Sequence, residues 1–219
     1  MDARARFEPL IRAKADEYGL DHGWNLFMCP EEQRKSATFA IMGLNPGGGA
    51  NFKNDGEWAL DHNAYFVQRT HPDQAENPLH GQISAWHDLA GIDPDATICA
   101  QYVPFRTPNW NGFAQRDDAL KFSRGIWADL LANSPVTTVI GMSRVLEYEF
   151  GQLWGVAPFR DYPTGWKIGR RGEVKIRLFK DKGGKRFVSM PHPSRFRLFR
   201  RSDGKSALAE ASFRSALTD

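Results

Sequence analysis

An apolar run that ends in an Asn-Pro pair and three glycines constrains the fold of this chain more than any other feature. Residues 38–49 read Thr-Phe-Ala-Ile-Met-Gly-Leu-Asn-Pro-Gly-Gly-Gly. A β-prone apolar run followed by proline and glycine is typical of a buried strand that ends in a turn. Proline fixes the backbone of such a turn, and glycines let backbone N–H groups approach a ligand closely. The pattern therefore predicts a strand that delivers one polar side chain, Asn45, to a rigid loop.

A second segment far downstream has the same design. Residues 187–195 read Phe-Val-Ser-Met-Pro-His-Pro-Ser-Arg, an apolar run that ends in His192 between two prolines. Rigid strand-end loops that each present one polar group commonly build the active site of an α/β protein. Asn45 and His192 are therefore the leading candidates for functional side chains.

Strand-like apolar runs alternate with helix-like segments along the chain. The predicted strands are residues 38–43, 97–103, 136–141 and a hairpin of 173–180 with 186–190; the predicted helices are residues 4–19, 82–90, 117–133, a helix from 143 onward, and 205–217. The alternation predicts an α/β protein whose parallel sheet is covered on both faces. Ligands bind such sheets beyond the carboxyl ends of the strands, so the segments at Asn45, 101–106 and His192 can converge. Residues 50–80 are expected to form a long irregular excursion.

The charge of the chain is small overall but unevenly distributed. Its formal net charge is +3, yet residues 160–205 hold 15 Lys and Arg against 4 Asp and Glu. A basic segment of this size beside the His192 loop is typical of a nucleic-acid-binding surface. The alternative is a solvated Lys/Arg surface on the hairpin.

Composition argues against several classes of protein. One domain, residues 1–219, is expected from the length and from the lack of repeats. No apolar run approaches the ~18 residues of a membrane helix, and the start lacks the apolar core of a signal peptide, which predicts a cytoplasmic protein with no membrane partner. Cys29 and Cys99 make neither a disulfide framework nor a CxxC pair, and the histidines show no metal-ligand spacing. No metal and no cofactor are expected.

Three motifs together resemble those of the uracil-DNA glycosylase superfamily. Residues 43–47, Gly-Leu-Asn-Pro-Gly, are similar to its water-positioning motif in the form of the mismatch-specific and single-strand-selective branches. Residues 192–194, His-Pro-Ser, are similar to its second motif, whose loop enters the DNA minor groove. Between them, residues 101–104, Gln-Tyr-Val-Pro, stand where the single-strand-selective branch has an Asn-Tyr-Cys-Pro run that carries the base-reading Asn. The three motifs occur in the family's order, over residues 38–200.

The resemblance implies a fold and an activity. The fold would be a three-layer α/β/α sandwich with a central, mainly parallel, four-stranded sheet. The activity would be that of a monofunctional DNA glycosylase, a base-excision-repair hydrolase that removes uracil or a related damaged base flipped out of DNA. Its partner would be damaged or uracil-containing DNA, bound by a monomer. Neither motif contains a lysine, so a Schiff-base lyase step is not expected.

The resemblance also implies roles for individual residues. Asn45 would hold the attacking water, and His192 would donate a hydrogen bond to the base oxygen on which negative charge grows. The residues expected to bind the base are Gly43, Leu44, Gly47, Phe52, Gln101 and Phe105. The residues expected to contact DNA are Gly48, Gly49, Ser194, Arg195, Phe196 and Arg197. Phe52 is the first candidate for stacking on the base, with Trp58, Tyr65, Phe66 and Phe105 as competitors, and Phe196 or Leu198 would fill the gap left by the flipped base.

Other interpretations of the same residues stay open. Asn45 could fasten its loop as an Asx turn, and His192 could cap a turn. Phe196 and Leu198 could anchor the start of a helix. Gln101 carries one methylene more than the base-reading Asn, which also allows a non-catalytic relative that binds damaged or modified bases. An enzyme of free nucleosides or another small phosphorylated ligand is the third alternative, and the basic segment argues against it.

Overall fold

The computed structural model of the chain describes residues 2–47, 56–66, 78–169 and 172–219. Within these residues lies one mixed sheet of eight strands: β1 (Asn25–Phe27), β2 (Phe39–Gly43), β3 (Glu57–Ala59), β4 (Thr97–Gln101), β5 (Thr138–Gly141), β6 (Ala157–Lys167), β7 (Glu173–Lys180) and β8 (Arg186–Ser189). Their order across the sheet is β3-β1-β4-β2-β5-β8-β7-β6.

The centre of the sheet is parallel. Strands β4, β2, β5 and β8 lie side by side and run in the same direction. On one side of this centre, β1 pairs antiparallel with β4, and β3 pairs parallel with β1. On the other side, β7 pairs antiparallel with β8, and β6 pairs antiparallel with β7. The predicted α/β class with a mainly parallel sheet is confirmed. The expectation of four strands is wrong, because additional strands extend the parallel centre on both sides.

Of the additional strands, β7 coincides with the predicted strand 173–180, whereas β1, β3 and β6 leave little trace in the sequence. Strands β1 and β3 have three residues each, too few for an alternation of polar and apolar residues to show. Strand β3 also lies within residues 50–80, where an irregular segment was expected. Strand β6 contains Pro158 and Pro163, and proline within a run normally argues against a strand. It accommodates both because it is an edge strand with register shifts after each proline.

Five α-helices flank the sheet in the described ranges: α1 (Ala3–Glu17), α2 (Pro78–Ala90), α3 (Arg116–Ala132), α4 (Arg144–Trp154) and α5 (Ala207–Thr218). All five coincide with predicted helices, although α2 begins at Pro78 rather than at residue 82. Ile140 of β5 lines a narrow gap with Trp86 of α2, whereas the next residue, Gly141, faces Leu146 of α4. Successive strand residues point to opposite faces of a sheet, so α2 and α4 cover different faces. This arrangement is compatible with three layers. Among the described residues, no helix is both long and apolar enough to span a membrane.

A buried polar network joins two of these helices to the loop after β4. Arg124 of α3 donates two hydrogen bonds to Glu149 of α4, at 2.9 and 3.0 Å, and the Glu149 side chain is 1% exposed. The hydroxyl of Tyr102 donates to the same carboxylate at 2.6 Å, and Trp127 donates to the backbone carbonyl of Tyr102 at 2.8 Å. Because the buried charges are paired and hydrogen-bonded, they hold the position of Tyr102 at the end of β4.

The β6–β7 hairpin extends beyond the rest of the sheet. Residues 177–180 of β7 pair with β8, with Arg177 opposite Ser189, but residues 173–176 pair only with β6. Four strand residues span roughly 13 Å, so the hairpin stands about that far past the carboxyl end of β8. It forms an arm beside the segment that follows β8, and we call this part of β6 and β7 the hairpin arm.

Candidate functional site

The carboxyl ends of the four central strands lie level with one another. Gly43 of β2 pairs with Gln101 of β4, Met42 pairs with Gly141 of β5, and Gly141 pairs with Ser189 of β8. The loops that follow therefore leave the sheet at the same edge. The chain passes from β4 on one side of β2 to β5 on the other, so this carboxyl edge contains the switch point at which open α/β sheets bind ligands.

The side chain of Asn45 is oriented through its amide nitrogen. Nδ2 donates to Thr107 Oγ1 at 3.1 Å, to the carbonyl of Pro46 at 3.2 Å and to the carbonyl of Phe105 at 3.5 Å. Two of these acceptors are carbonyls, which cannot donate, and this fixes which end of the amide carries the hydrogens. Asn45 is half-buried, and no described residue donates to its Oδ1. The residue thus presents an oriented, unoccupied acceptor.

The loop of Asn45 is fastened to the loop that follows β4. The backbone N–H groups of Tyr102 and Val103 donate to the carbonyls of Gly43 and Leu44, at 2.9 and 2.8 Å. The ladder between β2 and β4 therefore continues past the ends of both strands. Leu44 and Gly43 contribute to the site through their backbone, and the two loops form one rigid unit.

The glycine run is only partly described. Arg106 donates to the carbonyl of Gly47, which is exposed. A Cβ at Gly47 would meet no atom within 4 Å, so packing does not require glycine at this position. Gly48, Gly49 and Phe52, predicted to contact DNA or the base, lie outside the described residues.

Gln101 lies directly against Gly43. The residue is 6% exposed, and a Cβ on Gly43 would overlap the Gln101 amide. Its Oε1 is buried and has no donor among the described residues. Burial raises the pKa of Tyr65, and a side-chain hydrogen bond from Gln101 opposes that shift, as a donor to the phenolate would. Gln101 therefore lies close to Tyr65, and its oxygen is an acceptor without a donor among the described residues.

His192 sits in a tight turn that fixes its tautomer. The carbonyl of His192 accepts from the N–H groups of Arg195 and Phe196, at 2.9 and 3.2 Å. The N–H of Ser194 donates to Nδ1 at 3.3 Å, and Ser194 Oγ lies 2.8 Å from the same atom. Because Nδ1 accepts, the proton of the neutral ring is on Nε2. Although the residue is exposed, neighbouring protein atoms partly desolvate its ring, and with the charge on Arg195 this lowers the pKa of His192. The ring is a neutral Nε2–H donor at pH 7.

The carboxyl edge brings these groups to one side of the molecule without direct contact between Asn45 and His192. Strand β5 lies between β2 and β8, and neighbouring strands are about 4.8 Å apart, which separates the two strands by roughly 10 Å. Helix α4 begins in this interval at Ser143, whose Oγ accepts from the N–H of Val145 at 3.3 Å. The space between the Asn45 and His192 loops is therefore bounded below by a helix N-terminus.

The segment that follows His192, residues 194–201, separates exposed cations from buried anchors. Arg195 and Arg197 are exposed and form no ion pair with the described residues, whereas Arg200 pairs with Asp88. Leu198 is 3% exposed. Its burial makes it an anchor rather than a side chain free to enter DNA.

Aromatic rings near the site are mostly committed to packing. The ring of Phe105 is fully buried, edge-on to Tyr18 at 5.2 Å and stacked on Phe122 at 5.8 Å. It offers the site its carbonyl, not the ring face that was expected to meet a base. Phe196 is half-buried, and its ring centroid lies 6.2 Å from that of Trp166 on the hairpin arm. Among the other candidates for stacking, Trp58 and Tyr65 are buried in the core.

Several residues that shape the site have no local sequence signal. Thr107 accepts a hydrogen bond from the Asn45 amide, and Tyr65 lies beside the Gln101 amide. In both cases the two residues are far apart in sequence. Glu147 of α4 accepts from Ser189 Oγ at 2.6 Å and pairs with Arg177, which supports the end of β8. The position of Thr107, two residues after the Pro-Phe pair that ends the strand, predicts its role only weakly. The roles of Tyr65 and Glu147 can be recognised only in the folded structure.

No family model matches the chain, and a search of curated proteins found no similar sequence. Across the described ranges, no three His, Cys, Asp or Glu residues are grouped so that they could hold a metal ion.

Proposed function

We propose that this chain is a monofunctional DNA glycosylase that hydrolyses the N-glycosidic bond of uracil or a related damaged base flipped out of DNA. The observation that carries the proposal is a set of three polar atoms of defined character at the carboxyl edge. Among the described residues, Oδ1 of Asn45 and Oε1 of Gln101 are acceptors without a donor, and Nε2–H of His192 is a donor without an acceptor. The Watson–Crick edge of uracil offers one N–H donor between two oxygen acceptors. Oε1 of Gln101 would accept from that N–H and Nε2–H of His192 would donate to one of the oxygens, which leaves Oδ1 of Asn45 for a water.

The reaction can be assigned to these atoms step by step. The bond between base and sugar breaks, and its electron pair leaves with the base. A donor hydrogen bond from His192 stabilises the negative charge on the base oxygen. Oδ1 of Asn45 accepts a hydrogen bond from a water whose oxygen forms the new bond to the sugar carbon, and the water's proton passes to the base or to solvent. A neutral amide is a weak base, so the rate depends mainly on electrostatic stabilisation of the leaving base.

The ionisation state of His192 favours this role. A neutral imidazole donates through Nε2 without a net charge, and the lowered pKa keeps it neutral at pH 7. The Ser194 N–H on Nδ1 stabilises this tautomer, because Nδ1 must accept. The Ser194 backbone therefore prepares the donor before any base arrives.

A second candidate function is the binding of damaged or modified bases without cleavage. The observation that favours it is the packing of Gln101, whose longer side chain is folded against Gly43 and Tyr65. If that packing admits a base but displaces it from the Asn45 water, binding would persist without hydrolysis.

The deciding experiment is a strand-cleavage assay after alkali or heat. Labelled oligonucleotides carry a single uracil, hypoxanthine, xanthine or mismatched thymine, in single and double strands. We expect a cut at one of these bases. Asn45→Ala should lower the rate about 10²-fold, while Asn133→Ala, at the exposed end of α3, should leave it unchanged.

The outcomes separate the candidates. Cleavage that Asn45→Ala does not affect would remove Asn45 from the mechanism. Salt-sensitive DNA binding with no cut at any base would favour the non-catalytic alternative. Neither cleavage nor DNA binding would contradict both candidates.

A further inference from the structure

A pocket lies on the hairpin arm, apart from the Asn45 and Gln101 loops. Its volume is about 240 Å³, and it is lined by Thr164, Gly165, Trp166, Lys167, Leu198, Arg201 and Lys205. Three of these seven residues are cations, and within the described ranges Asp203 is the only acidic residue paired with them. The composition is that of an anion site with an aromatic wall.

The pocket faces the same side of the molecule as the candidate site. Strand β6 is antiparallel to β7, which is antiparallel to β8, so β6 ends at the carboxyl edge as β8 does. Arg177 of β7 pairs with Asp161 of β6 and with Ser189 of β8, so Asp161 and Ser189 lie at the same height in the sheet. Lys167 lies six residues further along the arm. The register is irregular between Pro163 and Lys167. A ligand that spans the carboxyl edge beyond His192 therefore meets this pocket next.

The two walls of the pocket are held in place by different contacts. The guanidinium of Arg201 lies over the Trp166 ring, 4.6 Å from its centroid, and Nε donates to Asp203 at 2.9 Å. Thr164 Oγ1 donates to the carbonyl of Val174 and accepts from the N–H of Trp166 at 3.2 Å. Arg201 and Thr164 are thus already engaged, and they shape the pocket rather than bind its ligand.

Two lysines remain for the ligand. Lys167 is exposed and has no ion pair among the described residues. Lys205 is 75% exposed, and its ammonium lies 3.7 Å from Asp203, a weak surface contact. Lys205 directly precedes Ser206 at the start of α5, whose N-terminal end adds positive potential on the same side.

A continuous basic surface joins this pocket to the His192 loop. Arg195 and Arg197 lie between them in sequence and are exposed without ion pairs in the described part of the chain. Phe196 packs on Trp166, so the segment that carries the two arginines lies against the arm. A small anion would use one pocket, whereas a row of cations that begins at the His192 loop offers contacts to several phosphates of a strand.

We propose that the hairpin-arm pocket is a second phosphate-binding subsite, in which Lys167 and Lys205 hold a backbone phosphate of the DNA strand beyond the nucleotide at His192. The proposal rests on the proposed function. The arm extends roughly 13 Å past the carboxyl end of β8, which is comparable to the rise of about four nucleotides along the axis of B-form DNA.

The test is a salt titration of DNA binding with undamaged oligonucleotides, so that no cleavage is needed. The variant is Lys167→Gln with Lys205→Gln. Its matched control is Lys35→Gln with Lys182→Gln, which removes the same charge at the opposite edge of the sheet, before β2 and in the β7–β8 turn. We expect the slope of log Kd against log salt to shrink by about one unit in the pocket variant and to stay unchanged in the control.

A length series gives the second readout. Wild-type affinity should fall several-fold when the flank on one side of the oligonucleotide drops below about four nucleotides. The pocket variant should be insensitive to that truncation. Equal slopes for the two double variants, or equal sensitivity to flank length, would overturn the proposal.

A titration with inorganic phosphate distinguishes a strand from a free anion. Phosphate binding that the pocket variant loses, with unchanged DNA binding, would overturn the strand assignment. If the wild-type protein cleaves a damaged base and the two double variants bind DNA equally well, the subsite proposal is overturned and the proposed function stands. A wild-type protein that does not bind DNA would overturn the subsite and contradict the proposed function together.

Discussion

The orientation of the Asn45 side chain depends on Thr107, which takes no part in the proposed reaction itself. An amide side chain can rotate so that its nitrogen and oxygen exchange places, and only its surroundings decide which atom faces the ligand. Two carbonyls and Thr107 Oγ1 surround the nitrogen of Asn45. Thr107 is 6% exposed, so its hydroxyl meets Asn45 without competition from water. Thr107 is a positioning residue in the proposed mechanism.

Thr107→Val should lower kcat about three- to tenfold with little change in KM. The substitution keeps the shape of the side chain and removes one acceptor worth about 1 kcal/mol. Thr107→Ser retains the hydroxyl and should retain most of the activity. Steady-state kinetics on the preferred oligonucleotide, together with the NMR shift of the Asn45 side-chain amide, measures the effect. An unchanged amide shift and an unchanged kcat in Thr107→Val would contradict the positioning role.

Functional residues could be predicted from the sequence where their neighbours along the chain determine the local backbone. Asn45 and His192 could be picked out because proline and glycine follow or flank them, and these residues restrict the backbone whatever the rest of the chain does. Gln101 stands at the end of an apolar run in the same way. Tyr65 is different, since its contact with Gln101 joins segments that the sequence does not relate. Such contacts arise from packing and carry no spacing rule.

The segment after His192 owes its position to helix α2. Gln82 donates from Nε2 to the carbonyl of Phe199 at 3.0 Å, and its Oε1 accepts from the N–H of Phe199 at 2.9 Å. Both residues are buried. The Gln82 amide thus makes the two backbone hydrogen bonds that a neighbouring strand would otherwise make to Phe199. These bonds fix the position of the segment that contains Arg195 and Arg197.

Gln82→Ala should lower the free energy of unfolding by about 2–4 kcal/mol, because it leaves a buried N–H and a buried carbonyl of Phe199 unpaired. It should also weaken DNA binding, since the two arginines lose their fixed position. Chemical denaturation and DNA titration measure the two effects. Gln152→Ala, on the exposed face of α4, is the control and should change neither. Wild-type stability in Gln82→Ala would show that the segment is held by other contacts.

Elements with a strong period could be predicted, and short or edge elements could not. The five helices and the four central strands follow from apolar periodicity. The register of the edge strand β6 breaks at Pro158 and Pro163, and Gly165 has a left-handed φ of 73°. Alternation in burial is confined to the second half of the strand, where Tyr162, Thr164 and Trp166 share the less exposed face. Strand β6, which lines the second proposed subsite, could therefore not be predicted, whereas its partner β7 was predicted as residues 173–180.

The stability of the whole molecule should depend on a buried histidine. His87 is 3% exposed, packs edge-on against Phe66 at 4.9 Å, and has no hydrogen-bond partner for either ring nitrogen among the described residues. Burial lowers the pKa of His87 to about 4, and the nearby charge of Asp93 opposes this shift only in part. The buried ring is therefore neutral over the physiological range.

Acidification from about pH 6.5 to 4 should destabilise the protein through His87. In this window the unfolded chain binds a proton that the folded protein excludes, so the free energy of unfolding falls as the pH falls, by up to about 3 kcal/mol. In His87→Leu, the free energy of unfolding should depend less steeply on pH in this window, by the contribution of one bound proton. Denaturant unfolding at several pH values measures it, with exposed His62→Ala as the control. Parallel curves for wild type and His87→Leu would contradict the assignment.

The parallel centre of the sheet has a consequence for the order in which the protein folds. Phe39 pairs with Thr97 and with Thr138, and Thr138 pairs with Arg186. Each partner comes from a distant part of the chain, and such non-local pairing folds slowly. During synthesis the acceptors at Asn45 and Gln101 can assemble while β5 still has an open edge, whereas the donor at His192 arrives only with β8. A nascent chain would therefore lack the proposed activity and would expose a strand edge that can pair with other chains. The step that covers the exposed edge of β5 is the same step that supplies the second half of the candidate site.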